Sequence, residues 1–213
     1  LENFVQTKIF FVSLIAVFMT ETVGIFALSF FIKNPTVAQI FLRLCQIFIF
    51  ILIFLAAERN TVSLGLSLKQ IIPGFKSGIL WSFVFGTAVF FVSGILWLLG
   101  KISPELLRVR LPEQAVSDIF LSLILRCVIG PVAEEIFFRG IIYGFLRRWG
   151  IFPAIFLSSS LFVLAHQSGG FPQIIGAVLF AAAYEAERNL MVPITIHIIG
   201  NITLFLLSVV FVR

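Results

Sequence analysis

The side chains of this sequence best suited to acid–base or hydrolytic chemistry fall into three short groups, each set in apolar surroundings. The first is Glu134-Glu135-Ile136-Phe137-Phe138-Arg139. The second is Phe162-Val163-Leu164-Ala165-His166, and the third His197-Ile198-Ile199-Gly200-Asn201. Both histidines of the chain are in these groups. Adjacent helical residues point about 100° apart, so Glu134 and Glu135 cannot share one role. Glu135 and Arg139 are four apart, share a face, and stand in the order that favours an ion pair. Glu134 is left without a cation at helical spacing, which makes it a candidate general base in a poorly solvated site. His197 and Asn201 present an imidazole and an amide on one helical face, and Gly200 would let a neighbouring backbone approach. Each group also has a structural reading. The carboxylates would serve an interhelical ion-pair network, His166 would be a hydrogen-bonded core residue, and His197 with Asn201 would be interhelical glue.

The elements that must position these groups are membrane helices. The chain is 60% hydrophobic and 12% charged over 213 residues, and a soluble domain carries about twice that charged share. The apolar residues come in runs near the ~20 needed to cross a bilayer as a helix. Lipid offers the backbone no hydrogen-bond partner, and the period-two alternation of a membrane barrel is missing, so the chain reads as all-α. The net charge of +5 is scattered over short loops, which suits cations that bias insertion and not a nucleic-acid patch. Cys45 and Cys127 lie inside apolar runs and read as small buried hydrophobes. The first apolar run is too long for a signal-peptide core and reads as retained.

Spans are expected at about Lys8–Ile32, Val37–Ala57, Phe75–Leu99, Phe152–His166, Pro172–Glu185 and Met191–Val212. The polar stretch Lys101–Asp118 reads as a loop or an interfacial helix. The region Asp118–Trp149 is either one span kinked at Gly130-Pro131 or two spans broken there, giving seven spans or eight. In the one-span arrangement Glu134 and His166 lie ~20 Å from the same membrane face, with His197 at ~10 Å and Asn201 at ~15 Å. Two spans would send His197 towards the opposite face. We adopt the single span because it alone assembles a site. The expected architecture is a polytopic transmembrane bundle with a polar intramembrane cavity, one integral domain over residues 1–213. Residues 1–112 form N-terminal spans without a signature, and 113–213 the core carrying the motifs. Loop cations are slightly biased towards a cytoplasmic N-terminus.

In this order and spacing the three groups resemble the motif set EExxxR, FxxxH and HxxxN of the CAAX prenyl protease type II and bacteriocin-processing (CPBP or Abi) family of intramembrane proteases. The resemblance covers about Ser117–Leu204, and Gly130-Pro131 and Gly140 fit it as well. It implies peptide-bond hydrolysis at or within the membrane. Glu134 and His166 would activate water, His197 and Asn201 would stabilise the oxyanion, and Glu135 and Arg139 would support them. Glu134, His166 and His197 could also bind zinc or another divalent metal with water in the fourth position. Asn201 would be an unusual zinc ligand, and the metal-free, glutamate-type mechanism is preferred. The implied substrate is a membrane-associated peptide or protein, lipid-modified or not, and the implied setting is the plasma membrane of a prokaryote. The competing readings are a non-catalytic immunity or scaffold protein of the same fold, and a transporter using its buried charges as an ion path. Glu21, in the first span, is expected to pair with Arg43 or Arg126, or to line a substrate entry.

Overall fold

The computed structural model describes residues 4–101, 116–166 and 171–211, and the described residues form helices with no strand. α1 (Thr7–Phe31) and α2 (Pro35–Glu58) form an antiparallel hairpin of apolar helices. The turn follows from Lys33-Asn34-Pro35: the Asn34 side chain accepts from the N–H groups of Thr36 and Val37 at 2.9 and 3.2 Å. Pro35 opens α2, where its missing N–H costs nothing. α2 stops where the backbone turns left-handed at Arg59.

α3 (Ile71–Leu98) starts a turn earlier than its sequence suggests, since Pro73 sits in the first helical turn, where proline is tolerated. Together with α1 and α2 it is long and apolar enough to cross a membrane. Most of the polar stretch beyond it, residues 102–115, lies outside the described residues.

α4 is one continuous helical rod over residues 116–149, as the single-span arrangement requires. Two wide turns interrupt it, at Leu125–Ile129 and Ile136–Tyr143. The first is written in the sequence. The Gly130 N–H goes to the Leu125 carbonyl five residues back, and Pro131 has no N–H to offer the carbonyl of Arg126. α5 (Ile151–Ala165), α6 (Phe171–Glu187) and α7 (Met191–Phe211) pack around α4 and each other. The described residues therefore form seven rods, a multi-pass helical membrane bundle.

The segment 60–70 does more than connect α2 to α3. Leu64 is fully buried against Gly140, where a Cβ would fall 2.4 Å from Leu64 Cδ1. The Leu190 N–H donates to the Gly65 carbonyl at 2.9 Å, and the Asn189 amide donates to the Gln70 carbonyl at 2.8 Å. α7 therefore begins against a loop that dips into the bundle.

Candidate active site

Glu134 is carried by the stretch Gly130–Glu135 between the two wide turns of α4. Its Oε2 lies 3.6 Å from His166 Nε2 and 3.8 Å from His197 Nε2. One carboxylate oxygen is thus faced by imidazoles from α5 and α7. The cluster is open on one side, with side-chain exposures of 24% for Glu134, 29% for His166 and 7% for His197.

Each ring has its other nitrogen engaged. His166 Nδ1 lies 2.7 Å from the Phe162 carbonyl, one turn back in α5. A carbonyl only accepts, so Nδ1 carries the proton and Nε2 presents a lone pair when the ring is neutral. His197 Nδ1 lies 2.8 Å from Glu135 Oε1. Glu135 and Arg139 are both fully buried and form the ion pair that their spacing predicts, with Arg139 Nη1 donating to Glu135 Oε1 at 2.9 Å. Arg139 Nη2 donates to the Ala177 carbonyl at 3.0 Å, and its guanidinium sits 4.4 Å from the Phe162 ring centre. The Phe180 ring stacks on His197 at 4.6 Å. Phe162 therefore accepts the Arg139 cation on its ring while its carbonyl fixes His166.

The sequence did not reveal that Glu135 orients His197. A signal was available, because a buried carboxylate has more acceptor capacity than one arginine uses. The depth expected for His197 is also corrected. α7 does not start at the membrane face where α4 ends. It starts at the inward-dipping loop on Gly140, which is ~13 Å along α4 from Trp149, and six further residues add ~9 Å. His197 therefore reaches the level of Glu134 and not a level ~10 Å short of it.

Asn201 stands one turn beyond His197, and its Nδ2 donates to the Arg126 carbonyl at 2.8 Å. This is the carbonyl that Pro131 leaves without a backbone donor. One amide hydrogen thus serves the wide turn of α4. Gly200 does not admit a neighbouring backbone, since a Cβ there would meet nothing within 4 Å. As for metal binding, among the described residues no group of three or more His, Cys, Asp or Glu side chains is disposed to hold an ion.

Fold and site together define a multi-pass helical membrane protein with a carboxylate–imidazole cluster inside its bundle. Residues 116–203 match the family described as type II CAAX prenyl endopeptidase Rce1-like. The chain is 30% identical over 146 residues to a putative membrane peptidase, YdiL, of Bacillus subtilis, covering 65% of this chain and 55% of that protein. It is 39% identical over 83 residues to the membrane-embedded CAAX protease MroQ of Staphylococcus aureus, covering 35% and 34%. The chain thus spans about half or less of the curated relatives it matches. No solved structure matches it.

Proposed function

We propose that the chain is an intramembrane endopeptidase that hydrolyses a peptide bond in a membrane-associated substrate. The observation that carries this reading is the convergence of His166 and His197 Nε2 on Glu134 Oε2, at 3.6 and 3.8 Å. These separations exceed a direct hydrogen bond and leave room for one water to touch all three atoms. The likeness of residues 116–203 to type II CAAX endopeptidases supports the same chemistry.

In the proposed reaction Glu134, with His166, takes a proton from that water as its oxygen attacks the scissile carbonyl carbon. The C=O electron pair moves onto oxygen. His197 in its protonated form donates from Nε2 to this oxyanion, its positive charge facing Glu135 through Nδ1. The second amide hydrogen of Asn201 is free to help there. As the tetrahedral intermediate collapses, the C–N bond breaks and Glu134 returns its proton to the leaving amine. The products are a new carboxylate and a new amine.

The mechanism we favour is metal-free, with both Nδ1 atoms engaged and the Nε2 atoms serving water. A chelator should leave purified enzyme active; inactivation by chelator with recovery on adding zinc would overturn the preference. The substrate class is a peptide or protein held at the bilayer, and lipid modification is one way of holding it there. Comparing membrane proteomes of cells expressing wild-type and Glu134→Ala protein tests the reading. A terminus cut only by the wild type is expected, and identical termini in both would end the proposal.

A further inference from the structure

The N-terminal hairpin carries a polar network that this chemistry leaves unused. In α1 the wide turn Thr20–Gly24 carries Glu21, and Arg43 of α2 pairs with Glu21 through Nη1. Arg43 Nη1 also donates to Gln46 Oε1 at 2.7 Å. Gln46 is buried, and its Nε2 donates to Thr20 Oγ1 and Glu21 Oε1, both at 2.9 Å. Thr20 in turn donates its hydroxyl to the Ala16 and Val17 carbonyls at 2.9 and 3.0 Å. Glu21 and Gln46 thus fix one atom of Arg43, with Thr20 bracing Gln46, while the Nε and Nη2 of Arg43 make no hydrogen bond among the described residues.

The network stands at the level of the active site. The start of α1 is tied to the end of α4, because Arg148 donates to the Thr7 hydroxyl at 3.1 Å and the Val5 N–H donates to the Gly144 carbonyl at 3.3 Å. From that shared end, Glu21 lies roughly 21 Å along α1 and Glu134 roughly 22 Å along α4. α2 packs on the 125–135 portion of α4, its Phe50 ring stacked on Phe137 at 5.9 Å. Arg43, two turns before Phe50 on the same face of α2, therefore stands within about one turn of the level of Glu134. The groups around Glu134 are then His166 from α5, His197 from α7, Arg43 from α2 and Arg139 on α4 itself. Arg139 is committed to Glu135 and the Ala177 carbonyl. Among the described residues, three carboxylates at this depth therefore share two guanidiniums, and Arg43 is the one with donors to spare. A carboxylate without a counter-ion is costly at membrane depth.

We propose that Arg43, held in place by Glu21, Gln46 and Thr20, is a positioning residue of the active site that supplies the counter-charge of Glu134. The N-terminal hairpin, which lies outside the family-matched residues, then completes the catalytic centre and is more than an anchor. The inference rests on the endopeptidase reading above. Its test compares kcat and KM for a membrane peptide in proteoliposomes among wild type, R43K, R43Q and the exchange E21R/R43E. R43Q is expected to lower kcat at least about tenfold with little change in KM, while R43K keeps most activity. The exchange keeps an ion pair between α1 and α2 but turns a carboxylate towards Glu134, and it should be as impaired as R43Q. Wild-type kcat in R43Q, or recovery in the exchange, would overturn the proposal. Thermal unfolding in detergent identifies a variant that fails to fold, and where R43Q does so, R43K and the exchange decide. Wild-type protein that cleaves no better than Glu134→Gln would instead sink the endopeptidase reading, and the role of Arg43 with it.

Discussion

Glu135 Oε1 accepts from Arg139 Nη1 and from His197 Nδ1 at 2.9 and 2.8 Å, so one atom joins the buried ion pair to the reactive ring. Removing the cation would strand that carboxylate. Arg139→Met is expected to destabilise the fold by about 3–5 kcal/mol, read as a lower unfolding midpoint in detergent. Cleavage should fall as well, because His197 loses its fixed orientation. Asn201 invites a separate prediction. Asn201→Ala leaves the Arg126 carbonyl without its donor and should cost about 1 kcal/mol of stability besides any effect on rate. Unchanged stability in this variant would show that the wide turn needs no help from α7. At this scale the sequence was informative about residue types and about the Glu135–Arg139 pair, whose spacing fixes it on one helix. It was silent on which atom meets which across helices. The contact of Glu135 with His197 spans 62 positions, and no local period encodes it. Glu21 had two candidate cations, and only packing chose Arg43.

The helices were legible as apolar runs with polar ends, and their boundaries fall within a few residues of expectation. The wide turns and the inward-dipping loop were harder to see. Pro131 signals a disturbance in α4, but whether the rod breaks or merely widens depends on whether the Arg126 carbonyl finds another donor. Asn201 supplies it. The depth of α7 depends on segment 60–70, whose polar composition suggests a surface loop. That segment is drawn inward by the fit of Leu64 on Gly140, a contact that no pattern within the loop announces. Gly140→Ala would place its Cβ 2.4 Å from Leu64 Cδ1 and should cost about 1–3 kcal/mol by overpacking. Because Leu190 hangs from Gly65, the variant should also slow cleavage by shifting α7. Combining it with Leu64→Ala relieves the clash and should restore activity in part. Activity of Gly140→Ala equal to wild type would uncouple the loop from the site.

Among the described residues, three helices are long and apolar enough to cross a membrane, and the other four build the carboxylate–imidazole site. α5 is short for a lipid-facing span, and its C-terminus ends at His166 inside the bundle. Such an end is tolerable in a membrane only where polar groups meet it. Here the Phe162 carbonyl in its last turn is met by His166 Nδ1 at 2.7 Å, and the other nitrogen of that ring faces Glu134 of α4. The proposed chemistry depends on one geometric relation: a single carboxylate faces the only two imidazoles in the chain. Having just two histidines makes this measurable. Protein labelled with 15N at histidine gives two ring-nitrogen pairs by NMR in lipid, assigned through His166→Gln and His197→Gln. Replacing Glu134 by Gln is predicted to shift the Nε2 resonances of both rings. If neither moves while the bundle stays folded, the three groups do not converge and the proposed site does not exist.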